Sequence, residues 1–422
     1  MVSRRKFVRK ATTLPFALTN LDAFSSVAKW PEPAPGLDVT RDEDFWHQIK
    51  MAYTVSPTLI NLNNGGVCPQ PKVVQDAVER YNQLSNETPS YYMWRILDKG
   101  RETIRARLSD IAGCDPEEIA INRNASEALE TVIFGLRLRK GDEVVLTKQD
   151  YPNMINAWKQ REHRDGIVLK WLDLDLPSED GDAIARIYTD AFTDRTKVVH
   201  ITHVINWIGQ VIPARKIADV ARARNIEVVI DAAHSFAHLD YKVPELGGDY
   251  LGTSLHKWLC APFGSGMLWV KKEKIKNLYP LFGSPDPDED NIRKFEHLGT
   301  RSFAIEQAIG QAIDFHSMIG AQRKFSRLHY LKNYWMDKLA GTEHVEFFTS
   351  KDPMYGGAIG FFNIKNIEPG KVAEMLLARN IHAVAIVWER FSGIRVTPNV
   401  YTLTSDLDRF VDAVQDIAAT EN

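Results

Sequence analysis

Between about residue 118 and residue 271 the chain repeats one pattern, a short β-rich apolar run followed by a stretch with helical spacing. The runs are Ile119–Asn122, Glu143–Leu146, Ile167–Leu172, Val198–His203, Glu227–Asp231, Tyr250–Thr253 and Gly266–Val270. Several are continuously apolar, as in EVVIDAA from Glu227, which marks strands buried on both faces. Between them, Ala214–Arg224 (ARKIADVARAR) places apolar residues three and four apart, as an amphipathic helix does. Such alternation over ~150 residues predicts an α/β domain on a mostly parallel sheet. Beyond about residue 310, long helices with a few strands predict a smaller α+β domain. Ser284–Asn291 (SPDPDEDN) reads as an exposed acidic loop, and no internal repeat is visible.

A chain of 422 residues suits one large domain and one smaller one. Its net charge of -3 argues against a nucleic-acid partner. The three cysteines, Cys68, Cys114 and Cys260, form no CxxC pair, so neither a disulfide framework nor a zinc site is expected. The N-terminus differs in kind. MVSRRKFVRK is strongly basic, an apolar stretch follows, and Ser26-Val27-Ala28 has the small residues of a signal-peptidase site. Ser3-Arg4-Arg5-Lys6-Phe7-Val8 resembles a twin-arginine export signal, which implies a signal peptide over 1–28 and a periplasmic protein; the alternative is a basic leader on a cytoplasmic one. No later segment offers ~18 consecutive apolar residues, so no stable membrane anchor is expected. A proline-bearing arm over 29–60 (WPEPAPG at its start) would precede a large domain over 61–310 and a small one over 311–422.

Three segments carry the chemistry. Ser254-Leu255-His256-Lys257 follows a buried strand, where a lysine is badly placed for solvation and its amine could form an imine with an aldehyde cofactor. Ser254 and His256 could hold a phosphate beside it; the plain alternative is an ordinary loop. Asp231 ends a hydrophobic strand, the place where open α/β sheets contact ligands. A buried carboxylate needs a cationic partner, such as the ring nitrogen of pyridoxal phosphate (PLP), or it serves as a helix N-cap. Ala125 and Ser126 open a helical stretch whose N–H groups and dipole favour a phosphate, unless Ser126 merely caps it.

In order and spacing these segments resemble the class V aminotransferases of PLP fold type I, over roughly residues 60 to 420. The resemblance implies PLP as cofactor, a Schiff base on Lys257, and a large domain with a mixed, mostly parallel seven-stranded sheet. It implies that Tyr151 stacks on the pyridine ring, that Asn206 in His203–Gly209 (HVINWIG) contacts its phenolic oxygen, and that Asp231 and His234 match the family's D-x-A-Q/H element. Leu298-Gly299-Thr300-Arg301 resembles the element through which a neighbouring subunit reaches the phosphate, implying a homodimer with Thr300 in that role. Arg395, in GIRVTPNVY, would hold a substrate α-carboxylate, a task suited to its bidentate fork. That stretch departs from the family pattern at Tyr401-Thr402-Leu403. Asn63-Asn64-Gly65-Gly66 resembles a substrate loop, with Asn64 and Gly65 as contacts, although a plain turn explains it equally.

The expected activity is PLP chemistry at Cα of an amino acid or amine-bearing peptide, with Lys257 and Asp231 as catalytic groups. The subgroup most resembled is isopenicillin N epimerase-like. An exported member would tailor a secreted peptide or metabolite, such as a siderophore. A PLP-dependent C–S lyase is the alternative, and a non-catalytic PLP-binding protein a further one. Cysteine desulfurase chemistry is demoted, because the stretch 378–395 lacks the cysteine that such enzymes carry shortly before the carboxylate-binding arginine. The stray histidines His163, His238, His297 and His316 are expected to be structural, with no metal site among them.

Overall fold

The computed structural model of the protein describes residues 38–420, so the expected signal peptide and the start of the arm lie outside the described residues. Three sheets form among those residues. A short strand β1 (Ile60–Asn61) comes first, and then β2 (Ile119–Asn122), β3 (Glu143–Thr147), β4 (Val168–Leu172), β5 (Thr196–Thr202), β6 (Glu227–Asp231), β7 (Tyr250–Ser254) and β8 (Gly266–Val270). Strands β2 to β8 make the seven-stranded sheet, in the order β2-β8-β7-β6-β5-β3-β4. Pairing is parallel from β7 through β6, β5 and β3 to β4, whereas β8 runs antiparallel to both its neighbours.

The apolar runs become central strands because both faces are covered. In β6, Val228 and Ile230 point into one core and Val229 into the other. Each fully buried side chain of this kind contributes about 1.5–3 kcal/mol relative to exposure. β4 is the edge strand, and there Val168 and Trp171 are exposed. The helix Ala125–Gly135 lies on β7 at Gly252, where a Cβ would come within 2.6 Å of Leu129 Cγ. Only a glycine permits that closeness.

The second sheet joins β9 (Val345–Phe347), β10 (Gly360–Ile364), β12 (Val384–Trp388) and β13 (Phe391–Val396) in the order β12-β13-β10-β9, all antiparallel. Its core centres on Trp335, whose ring meets those of Phe362 and Phe410 edge-on at 5.8 and 5.5 Å. β1 pairs in parallel with β11 (Ile381–His382), which brings Ile60 and Leu62 into this core. Residues 60–62 thus pack with the C-terminal part of the chain. Within the stretch expected as a bare arm, Glu43–Met51 forms a helix capped by Asp42, and Phe45, Trp46 and Ile49 enter the main core. Among the described residues no helix is long and apolar enough to cross a membrane.

Candidate active site

The C-terminal ends of β2, β3, β5, β6 and β7 share one edge of the sheet, and the segments leaving them carry the site. A cavity of about 340 Å³ opens there, lined by Ala125, Ser126, Tyr151, Asn206, Asp231, His234, Ser254, His256, Lys257, Gly65 and Arg395, among others. Eleven of the thirteen residues singled out in the sequence therefore meet in one place. Thr300 and Asn64 do not.

The helix at Ala125 begins where Ala125 N–H donates to Ser254 Oγ at 2.9 Å, joining two of the predicted phosphate segments. Asn124 makes the N-cap, its Oδ1 accepting Glu127 N–H at 2.9 Å, so the Ser126 hydroxyl is not needed as the cap. Gly266 runs beneath this turn; a Cβ there would stand 2.5 Å from Asn124 N.

Lys257 lies in the turn after β7. Its Nζ is 3.0 Å from His234 Nε2 and 5.8 Å from the centre of the Tyr151 ring. Burial lowers its amine to about 8, partly offset by the Asp231 carboxylate. Burial also drives His234 well below the ordinary histidine range, with Lys257 adding to the effect. A neutral imidazole therefore faces the lysine. Asp231 is buried and raised by desolvation; its Oδ1 accepts Ala233 N–H at 2.9 Å. Beside it on β5, Thr202 lines the cavity and donates from Oγ1 to Asp150 Oδ1 at 2.7 Å.

Arg395, on β13, is only 7% exposed. Its Nη1 donates to Asn206 O at 3.0 Å and its Nη2 to Asn63 Oδ1 at 2.8 Å, while Nε has no partner among the described residues. Burial lowers the guanidinium to about 10. Among the described residues neither Arg395 nor Asp231 has an ion-pair partner, yet both face the same cavity. A ligand with a cationic ring nitrogen and an anionic carboxylate would neutralise both.

The substrate-loop expectation needs correcting at Asn64. That side chain is fully buried and spent on scaffolding, with Nδ2 donating to Thr397 O at 2.8 Å and Oδ1 accepting Tyr401 Oη at 2.6 Å. Asn63, which nothing in the local sequence sets apart from its neighbour, holds Arg395 instead. Gly65 does line the cavity, and its N–H donates to Thr397 Oγ1 at 2.8 Å. Thr300 is exposed beside a second cavity with Arg301, Ser302 and Glu306, away from Lys257 of its own chain. His238, expected to be structural, stacks on Trp258 at 4.1 Å and shares a 2.6 Å contact with His234 O, so it supports the site from behind. The stretch 378–395, which lacks a cysteine, spans β11 and most of the hairpin β12–β13, whose turn is tied by Arg390 to Asp173 at 3.0 Å.

The residues present fit PLP. Asn124, Ala125, Ser126, Ser254 and His256 can hold its phosphate, Asp231 its ring nitrogen and Lys257 its aldehyde, and Asn206 Oδ1 and His234 Nδ1 are buried polar atoms without partners among the described residues. Fold and site together define a PLP-dependent enzyme of fold type I. The chain belongs to the class V aminotransferase family, whose model (Aminotransferase class-V) matches residues 60–388. Isopenicillin N epimerase of Streptomyces clavuligerus is 27% identical over 392 residues, spanning 87% of this chain and 97% of that protein. A probable cysteine desulfurase of Halalkalibacterium halodurans is 28% identical over 359 residues, 79% of this chain and 86% of the relative. Among solved structures, the apo cysteine desulfurase of Thermococcus onnurineus superimposes with a TM-score of 0.78 at 20% identity, covering 88% of this chain and 98% of the other.

Proposed function

We propose that this enzyme acts at Cα of an amino acid or peptide amine that bears a free α-carboxylate, in the manner of an aminotransferase or epimerase. The observation that carries the reading is Arg395, a buried cation without a counter-ion among the described residues, facing the cavity that contains Lys257. When bound, PLP supplies the electron sink that lets a bond at Cα break. The chain's own groups do the rest. Arg395, steadied by Asn63 and Asn206, fixes the carboxylate and so selects the Cα bond that is aligned for cleavage. Lys257, its amine held near neutral pH by burial, is placed to take or return the Cα proton. His234 touches Lys257 Nζ and remains neutral, so it does not compete for that proton as a second cation.

The isopenicillin N epimerase of Streptomyces clavuligerus matches almost end to end, which supports inversion or transamination at Cα over sulfur transfer. The cysteine-free stretch at 378–395 also speaks against a persulfide relay. A homodimer in which Thr300 reaches the partner's cofactor phosphate is part of the proposal; exposed Tyr91 and Trp94 offer apolar surface for such a contact. Export to the periplasm by a twin-arginine signal, and tailoring of a secreted peptide, complete it.

The test is to mix the PLP-loaded protein with α-amino acids and with the corresponding amines lacking the carboxylate. Spectral change should follow the acids, and product analysis then separates inverted amino acid, keto acid and eliminated thiol. Thiol release would move the assignment to the C–S lyase alternative. Equal response to acids and amines would remove Arg395 from the proposed role.

A further inference from the structure

Behind the Lys257 turn lies a buried polar cluster that the proposed reaction does not use. Cys260 Sγ accepts from Tyr53 Oη at 3.8 Å and from Asn399 Nδ2 at 3.7 Å, and Cys68 lies beside it. Lys324 is 3% exposed and directs its Nζ to Trp258 O, a carbonyl to which the Cys260 thiol also donates at 3.8 Å. Among the described residues no carboxylate stands within ion-pair distance of that ammonium. Burying a charge without a counter-charge costs several kcal/mol; burial accordingly lowers the Lys324 amine, with Cys260 and Cys68 acting in the opposite direction. The ionisable group beside it that can supply a negative charge is the Cys260 thiol.

The backbone adds a second observation. Cys260 has a φ of 57°, in the left-handed region that a non-glycine residue adopts only when its surroundings impose it. In this conformation its N–H donates to Lys257 O at 3.0 Å. On the other side of the turn, Cys68 N–H donates to His256 O at 3.1 Å. The Lys257 turn is thus held from both sides by residues of the cluster.

We propose that Cys260 and Lys324 are a positioning pair, a buried thiolate and ammonium that together fix the turn carrying Lys257. The groups facing the pair are Tyr53, Cys68, Tyr401, Lys257, His238 and His316, and burial keeps the tyrosines, Cys68 and both histidines in their neutral forms. The donors aimed at Cys260 and the nearby ammonium favour ionisation there, in opposition to burial. The pair also links distant parts of the site. Asn399 belongs to the segment that follows Arg395, and Cys68 Sγ donates to Asn64 O at 3.2 Å in the loop beside Gly65. The inference rests on Lys257 being the residue that carries the cofactor.

The experiment is an NMR titration of protein isotope-labelled at cysteine Cβ, both PLP-loaded and cofactor-free, with Cys68→Ser and Cys114→Ser assigning the signals. Cys260 should show the thiolate shift through neutral pH. Lys324→Met should raise its midpoint by about one to three pH units, the range an adjacent opposite charge commands, and Tyr53→Phe should raise it by less. The pH at which the visible band of the loaded enzyme changes should move in Lys324→Met and in Cys260→Ala. A Cys260 signal that remains a thiol through neutral pH in the wild type overturns the pair, whether or not Lys324→Met folds. An unmoved midpoint in Lys324→Met overturns it equally. The cofactor-free titration separates this failure from that of the proposed function, which would show as a loaded protein without a visible band.

Discussion

Replacing Arg395 by methionine tests the substrate assignment most directly. The guanidinium makes two charge-assisted bonds, to Asn206 O and Asn63 Oδ1. Bonds of this kind to charged groups contribute about 1.5–3 kcal/mol each, so their loss removes about 3–6 kcal/mol from the folded state. The same substitution releases a buried cation that lacks a counter-ion, a relief of several kcal/mol. The two effects nearly cancel, and a urea melt should find stability within about 2 kcal/mol of wild type. Substrate binding has no such cancellation. A carboxylate left unpaired in the cavity costs about 3–5 kcal/mol, which is roughly two to three and a half powers of ten in kcat/KM. The amine without a carboxylate should lose almost nothing. The assay is therefore the ratio of kcat/KM for an amino acid and its matched amine, measured in both proteins. A parallel loss for both ligands, with the melt unchanged, would refute the reasoning.

In the cofactor-free protein, stability should rise with pH from about 8 towards the ordinary lysine range, because the unfolded chain still binds a proton there that buried Lys257 has lost; Lys257→Met should flatten that slope in urea melts, and in the loaded protein it should abolish the borohydride-sensitive visible band. Gly266→Ala puts a Cβ against the Asn124 backbone. It should destabilise by about 1–3 kcal/mol and weaken PLP retention, measured by dialysis, more than Gly252→Ala does. Glu296 is buried among Arg101 and Arg105 at 2.8 Å from each. Glu296→Ala should lower stability by about 3–5 kcal/mol in denaturant melts, with the spectrum of the residual folded, loaded enzyme unchanged.

Much of this was legible in the chain itself. The seven apolar runs are the seven strands of the main sheet, because continuous burial on both faces leaves a local mark in composition. The residues leaving their ends converge for the same reason, since strand direction fixes where each segment emerges. What failed to show depends on contacts across long separations. Asn63 and Asn64 are neighbours of one type, and only the pairing of β1 with β11 and the closeness of Thr397 decide that one holds Arg395 while the other is buried as scaffold. Ser126 and Asn124 are both ordinary caps in sequence; helix geometry gave the task to Asn124 and left the serine hydroxyl out of it. The helix at Glu43–Met51 was hidden behind the proline-bearing start of its segment, although Asp42 followed by Glu43 and Asp44 is a recognisable helix start.

The reversed strand β8 has a bearing on how this protein can vary. A parallel neighbour would require a long crossover after β7, free to grow or shrink on the far face of the sheet. Because β8 turns straight back, Ser254 pairs with Gly266 and the whole Lys257 turn is a closed span with both abutments in the sheet. Residues added to or removed from that span would pull the lysine off its mark. The far ends of the crossovers after β3 and β5, beyond the helices Pro152–Asp165 and Ala214–Ala223, carry no such limit, so length changes and chain breaks should be tolerated there and be lethal to function between Ser254 and Gly266.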